Sequence, residues 1–285
     1  MEKRHLRLGY HLVAFLDVLG QREKFKALRL PETPEQAAVV GEVLRQTAGF
    51  VLELRKGFEE HFTLFESTLT NIKQHTREPI RPKFVGFSDS FVTSVPLHSS
   101  NDLVPIISVF SSLSAAATVM LTSLASKHPL RGGIDVGLAT EIGPGEIYGT
   151  ALERAYLLEC EVAKYPRIVI GDQLTGYLDA ALANFQAQTT PEAKSITAII
   201  GKITELIATD FDGKRILDYL GPTIFAHSKP GDERGKIPKS IYEFVLAEQK
   251  RISNGNNPEL IARYQAFRRY VESRLHLWGL DIEGD

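Results

Sequence analysis

The run Leu12-Val13-Ala14-Phe15-Leu16 is apolar and ends in a carboxylate, Asp17, which is followed by Val18-Leu19-Gly20-Gln21. A charge at the end of a buried run costs free energy unless it is paired, hydrogen-bonded or bound to a metal. A second carboxylate, Asp89, stands in Gly86-Phe87-Ser88-Asp89-Ser90, a stretch with the composition of a tight turn between two strands. Two carboxylates on neighbouring strands repel each other unless a divalent cation lies between them, and hard oxygen donors suit magnesium or manganese. A pair of such ions can hold a triphosphate and activate an attacking hydroxyl. Taken singly, Asp17 also reads as a cap or turn residue and Asp89 as a turn residue. The turn after Asp17 offers backbone N–H groups around Leu19, Gly20 and Gln21 for phosphate oxygens, with Arg22 and Lys24 nearby as cations.

These groups need elements to hold them. The first is a strand over Tyr10 to Asp17. Thr33-Pro34-Glu35-Gln36 reads as a helix start, with a hydroxyl cap, proline at the first helical position and Gln36 placed for a capping box. Val40, Leu44, Val51, Leu54, Phe58, Phe62 and Phe65 continue it as the stripe of a long amphipathic helix, which Pro79 and Pro82 interrupt. Lys83 to Val95 reads as a hairpin with Asp89 at or beside its turn, and a helix follows from about Asp102 to Lys127, ending at His128-Pro129. Arg131 to Ala139 is a glycine-punctuated strand, Gly143-Pro144-Gly145 a turn, and Glu146 to Gly149 leads into a helix from Thr150 to about Lys164. A strand over Arg167 to Ile170, a helix near Glu192 to Ala208, a hairpin around Phe211-Asp212-Gly213-Lys214 and two helices separated by Asn254-Gly255-Asn256-Asn257-Pro258 complete the chain. This order predicts an α/β sandwich in which helices cover a sheet. We expect a single domain over 1–285, with a core at about 8–220, a helical insert at about 31–78 and a C-terminal helical extension at about 235–279.

Composition narrows the function classes. Apolar residues make up 43% and charged residues 24% of the 285, as in an ordinary globular protein. The formal charge of −2 argues against a protein that coats nucleic acid. The single cysteine, Cys160, has no internal partner, so a reducing cytoplasmic setting is expected and the residue reads as a small packing group. The N-terminal residues lack the long uncharged segment of a signal peptide, and Leu103 to Leu124, diluted by Ser and Thr, reads as a buried helix rather than a membrane span. The eight histidines show no metal-ligand spacing of the zinc-enzyme type. Tyr156 and Trp278 read as packing residues.

Four motifs then occur in order: Phe15-Leu16-Asp17-Val18-Leu19-Gly20, Gly86-Phe87-Ser88-Asp89, Gly133-Ile134-Asp135-Val136-Gly137 and Glu146-Ile147-Tyr148-Gly149 running on to Ala155. In this set the chain resembles the class III nucleotide cyclases over about residues 10–172. The resemblance implies a ferredoxin-like or palm-type sheet covered by helices. It implies that Asp17, Asp89 and the Val18 carbonyl hold two divalent cations, Mn2+ or Mg2+, with Leu19, Gly20 and Gln21 around the phosphates. It also implies a homodimer, because the metal-binding strands and the helix after Gly149 serve one site from different subunits. Glu146 matches an acidic residue that reads the base, and Val85 stands where the family carries a base-selecting Lys, with Lys83 two residues earlier. Glu153 replaces the family's Asn, and Leu157 its transition-state Arg, leaving Arg154 or Arg131 for that role.

Gly149 to Glu159 looks most like the pyrimidine cyclases of the bacterial Pycsar antiphage system. That likeness implies conversion of UTP, or CTP, to a 3′,5′-cyclic monophosphate and pyrophosphate, with uridylate favoured over cytidylate. The product would act by diffusion on a separate effector protein in antiviral defence, without nucleic-acid or membrane partners. Three other readings stay open: a degenerate cyclase fold that only binds a nucleotide or dimerises, an adenylate or guanylate cyclase, and a palm-like nucleotidyltransferase.

Overall fold

Strand β1 (Gly9–Val18) is buried on both faces, with Leu12, Ala14 and Leu16 on one side and Val13 and Phe15 on the other. A strand with two apolar faces belongs in the middle of a covered sheet. The computed structural model describes residues 8–26, 28–70, 80–99, 102–143, 145–227, 235–253, 255 and 257–280. After β1 come α1 (Gln21–Lys26), α2 (Pro34–Thr70), the hairpin β2 (Lys83–Phe87) and β3 (Ser90–Pro96), α3 (Leu103–Ala125), and the pair β4 (Leu130–Gly143) and β5 (Glu146–Gly149). Helix α4 (Thr150–Leu157) runs into a π-helical turn, Leu158–Val162, followed by β6 (Ile168–Ile170), α5 (Asp172–Gln186) and α6 (Pro191–Glu205). The chain ends with β7 (Ile207–Thr209), β8 (Arg215–Leu217), α7 (Pro222–His227), α8 (Lys236–Ser253), α9 (Pro258–Leu275) and a 3-10 turn, His276–Trp278.

The strands form one sheet in the order β2-β3-β1-β4-β6-β8-β7, with β5 added to β4. β1 is antiparallel to both β3 and β4, and β6 runs parallel to β4. The first four strands and their helices therefore make a βαββαβ unit of the ferredoxin-like type, as expected. α2 and α3 cover one face, where Phe58 of α2 packs edge-on to Phe84 and Phe91 of the hairpin. A continuous apolar core extends from Leu12 to Trp278 on this side. α3 is apolar enough by composition to cross a membrane, yet its residues are mostly buried here. Trp278 is a packing residue whose indole N–H donates to the Leu220 carbonyl at 2.9 Å.

The other face carries α4, which lies against the backbone of β4. A Cβ at Gly133 would stand 2.3 Å from the Ala155 carbonyl oxygen, and one at Gly137 would stand 2.9 Å from the Ala151 nitrogen. Both glycines are space requirements rather than turn signals. Ala151 and Ala155 complete the contact with Val13, Phe15, Val92 and Ala139.

The helix starts and the long insert follow their local chemistry. Thr33 Oγ1 accepts from Gln36 N at 3.3 Å, and Gln36 Oε1 accepts from Glu32 N at 2.8 Å. Of the predicted α2 stripe, Val51, Leu54, Phe58 and Phe62 are buried, but Leu44 is 47% exposed. The reason is length. At 37 residues α2 spans about 55 Å, against about 35 Å for the 23 residues of α3. Phe50 stacks on His128, just past the end of α3, so the turns of α2 before it run beyond α3. Glu146 to Gly149 is a strand rather than a lead-in, the helix after Gly149 changes to π geometry at Leu158, and α5 and α7 are elements that the periodicity does not announce. The predicted helix near Glu192 stops at Glu205, because Ile207 to Thr209 pairs with β8. Part of the insert (71–78), Pro144, Asn254 and Asn256 lie outside the described residues.

The contact of α4 with β4 makes a direct prediction. Gly133→Ala forces helix and strand apart and is expected to destabilise the protein by about 2–4 kcal/mol. Gly176→Ala, on exposed helix α5 with open space at its Cβ, is the control expected to be neutral or stabilising. Urea denaturation of both variants reads the difference.

Candidate functional site

Asp17 is the last residue but one of β1, between Ser90 of β3 and Arg131 of β4. The Ser90 hydroxyl donates to Asp17 Oδ1 at 2.7 Å, and Arg131 Nη2 lies 3.7 Å from Asp17 Oδ2. Asp89 sits in the two-residue turn between β2 and β3, next to Ser88, whose φ is +54°. The Val18 N–H donates to the Asp89 carbonyl at 3.2 Å, which ties that turn to the end of β1. Hairpin and strand thus bring the two predicted carboxylates to one edge of the sheet.

A third carboxylate joins them. Glu159, on the π-helical turn after α4, is only 3% exposed and ion-pairs with Arg131. The Glu159 carboxylate is thus committed to Arg131, which also faces Asp17. Among the described residues, Arg131 is the cation that meets both Asp17 and Glu159, with Asp89 beside Asp17. The electrostatics follow. Burial pushes the Asp17 carboxyl above its ordinary pKa and the Asp89 charge adds to the rise, against the Ser90 hydrogen bond and Arg131. Burial also raises Glu159, with Arg131 opposing and the charges of Asp17 and Asp89 contributing. Glu159 carries no compositional cue, although its spacing of four from Ala151 and Ala155 puts it on the buried stripe of the helix.

The turn after Asp17 is partly committed. The Leu19 N–H donates to the Pro129 carbonyl at 2.9 Å, so it is already used within the chain. Gly20 adopts φ +87° with open space around it, and Gln21 starts α1 with a buried side chain whose Oε1 has no partner. The side chain of Arg22 lies outside the described residues, and Lys24 is exposed.

The remaining predicted residues gather elsewhere on the same face. Val85 of β2 packs with Phe15 and Val92 beneath α4. Glu146 opens β5, and the β4–β5 arm curls back so that a Cβ at Gly145 would lie 3.7 Å from the Phe84 carbonyl. An ion pair between Lys83 and Glu141 holds the arm to β2. The loop end of the arm, before Glu146, is thus brought to the strand that carries Val85. Arg154 donates from Nη1 to the Val136 carbonyl at 3.2 Å, five residues along β4 from Arg131, and Glu153 is exposed on α4. Within one chain, Arg154 and Glu153 therefore stand apart from the carboxylate edge. Asp135 serves the fold instead, its Oδ1 accepting from the Leu174 N–H at 2.8 Å to cap α5.

Oxygen donors from Asp17 and Asp89 fit hard divalent cations such as Mg2+ or Mn2+. Among the described residues no group of three or more His, Cys, Asp and Glu side chains converges as a metal cage. A cation here would take its other ligands from backbone, water or substrate oxygens, the usual arrangement for magnesium.

The chain matches no family model and no curated protein. Among solved structures it is similar to the crystal structure of a class III adenylyl cyclase-like ATP-binding protein from Pseudomonas aeruginosa. The identity is 11% and the TM-score 0.36, with 98% of this chain and 73% of that one covered. A likeness of this size carries no functional argument.

The raised Asp17 pKa has a defined sign. A carboxyl whose folded-state pKa lies above its unfolded value favours folding most below the unfolded pKa, and that contribution is lost as pH rises through the folded value. Asp17→Asn keeps an acceptor for Ser90 and removes the charge. It is expected to raise stability at pH 7–8 by up to about 1 kcal/mol, with the gain shrinking as pH falls through the folded pKa. Thermal melts of both proteins over pH 4–8 measure it.

Proposed function

We propose that this protein is a nucleotide cyclase that converts a pyrimidine nucleoside triphosphate, UTP ahead of CTP, to its 3′,5′-cyclic monophosphate and pyrophosphate. The observation that carries the reading is the meeting of Asp17 and Asp89 at one end of the sheet, with Glu159 close by and Arg131 paired to Asp17 and Glu159. Such a cluster is short of positive charge, and divalent cations would supply it. When bound, they would lower the pKa of the ribose 3′-hydroxyl and neutralise charge on the phosphates.

The chain's own residues do the rest. Asp17 and Asp89, with the Val18 carbonyl, would hold the cations, and the pocket they border orients the 3′-oxygen toward the α-phosphorus. The new O–P bond forms as the bond to pyrophosphate breaks, and the hydroxyl proton leaves to solvent. The open turn at Gly20 and Gln21 receives the phosphates, and Leu19 shapes it. Positioning and charge stabilisation account for the rate, with no covalent intermediate on the protein.

The reading uses a homodimer with two equivalent sites. In support, the carboxylate edge lies apart from Arg154 and Glu153, so a twofold partner can bring them together with Val85 and Glu146 against the carboxylates. Apolar side chains near the arm are open for such a contact: Tyr10 is 56% exposed, Leu138 41% and Tyr148 70%. Glu146 reads the base edge, Val85 leaves that side apolar where a base-selecting Lys is absent, Glu153 lines the sugar, and Arg154 neutralises charge in the transition state. The cyclic product serves as a second messenger for a separate effector in antiviral defence.

The test incubates the purified protein with ATP, GTP, CTP and UTP in turn, with manganese, and identifies products by mass spectrometry. Cyclic UMP or CMP is expected, falling at least about 100-fold in Asp17→Ala and Asp89→Ala, and by less in Arg154→Ala. A folded dimer that makes no cyclic nucleotide from any of the four sinks the enzyme reading, and a purine product sinks the pyrimidine assignment.

A further inference from the structure

Arg131 has two carboxylate partners and holds them unequally. It ion-pairs closely with Glu159, whereas its Nη2 stands 3.7 Å from Asp17 Oδ2, beyond hydrogen-bond distance. The Asp17 carboxylate takes its hydrogen bond from the Ser90 hydroxyl instead, at 2.7 Å. The two acids also differ in access, the Glu159 side chain being 4% exposed and that of Asp17 18%. Glu159 is therefore the inner partner of the guanidinium and Asp17 the outer one.

The fold sets both positions. Strand register puts Arg131 directly opposite Asp17. Glu159 arrives from the helix layer, on a turn that rests on Gly133, two residues along β4 from Arg131. A Cβ at Gly133 would stand 2.5 Å from the Leu158 Cβ and 3.0 Å from the Glu159 nitrogen, so the backbone of the turn is pressed onto the strand. A buried acid–base pair is costly to desolvate, and packing by itself does not call for one at this place.

We infer that Glu159 is a positioning residue for the cation site: it holds Arg131 back from Asp17 and so keeps Asp17 available to a divalent cation. The inference rests on the proposed role of Asp17 and Asp89 as cation ligands. Glu159 itself is too deeply buried to ligate a cation that enters from solvent. With its charge in place, an incoming cation displaces only the long contact between Arg131 and Asp17, and the guanidinium keeps its inner partner. Without that charge, Asp17 is the carboxylate left to pair with Arg131 among the described residues, and the guanidinium competes with the cation for it.

Manganese is the probe, titrated into the full chain without nucleotide and followed by calorimetry, so the readout is affinity rather than activity. Glu159→Gln is expected to weaken Mn2+ binding at least about fivefold. Glu161→Gln, which removes a charge from an exposed position of the same turn, is expected to leave it unchanged. Adding Arg131→Gln to Glu159→Gln removes the competitor and is expected to restore wild-type affinity or better. That pair leaves no unpartnered buried charge, so it carries the test even where Glu159→Gln alone does not fold, as circular dichroism melts will show. Unchanged affinity in a folded Glu159→Gln overturns the inference alone, and so does a double variant that binds more weakly than wild type. Wild-type protein that binds no Mn2+, or binding that survives in Asp17→Ala, removes the cation site itself and overturns the inference with it.

Discussion

Helix α4 lies directly on the backbone of β4, and the geometry of the candidate site depends on that contact. Gly133 and Gly137 leave no side chain between helix and strand, and Ala151 and Ala155 are small enough to use the space. At this distance the helix carries Glu159 down to Arg131 at one end and sets Arg154 over the Val136 carbonyl at the other. The change to π geometry falls between them, where the Ala163 N–H reaches the Leu158 carbonyl at 2.8 Å. Here the π turn is the last turn of the helix, which ends at Val162.

The carboxylate edge is the place where the structure forgoes stability. From His11 to Leu16 the side chains of β1 are buried, yet the next position holds Asp17 beside Asp89, with Arg131 between Asp17 and Glu159. A row of apolar residues would satisfy the fold better. Strained or under-compensated groups of this kind persist where function needs them. The buried network around Arg167 is different in kind: its guanidinium is matched by two aspartates, a carbonyl and an aromatic ring, so it fastens the β7–β8 hairpin to the chain before β6.

Legibility in the sequence varies with the length scale of the cause. β1, α2 and the β2–β3 hairpin are readable because alternation, the Thr33 cap and the Gly/Ser/Asp turn are local signals. Asp17 and Asp89 stand out for the same reason, as charges at the ends of apolar runs. The limits come where a neighbour decides. Leu44 fits the stripe of α2 but is exposed, since α3 is too short to reach it. α5 has no local start signal, because its first turn depends on the carboxylate of Asp135, which is distant in sequence. β5 is a strand only through its pairing with β4.

The sequence by itself determined the βαββαβ order of the core, the two carboxylates at strand ends and the glycines of β4, because each rests on propensity or on patterning within a few residues. Only the tertiary structure decided that Glu159 and Ser90 complete the surroundings of Asp17, that the Leu19 N–H is taken by Pro129, and that Arg154 stands apart from the carboxylates in the same chain. Those outcomes depend on strand register and on how closely α4 approaches the sheet. Register and approach are set by side chains far apart along the chain, and no local window of sequence contains them.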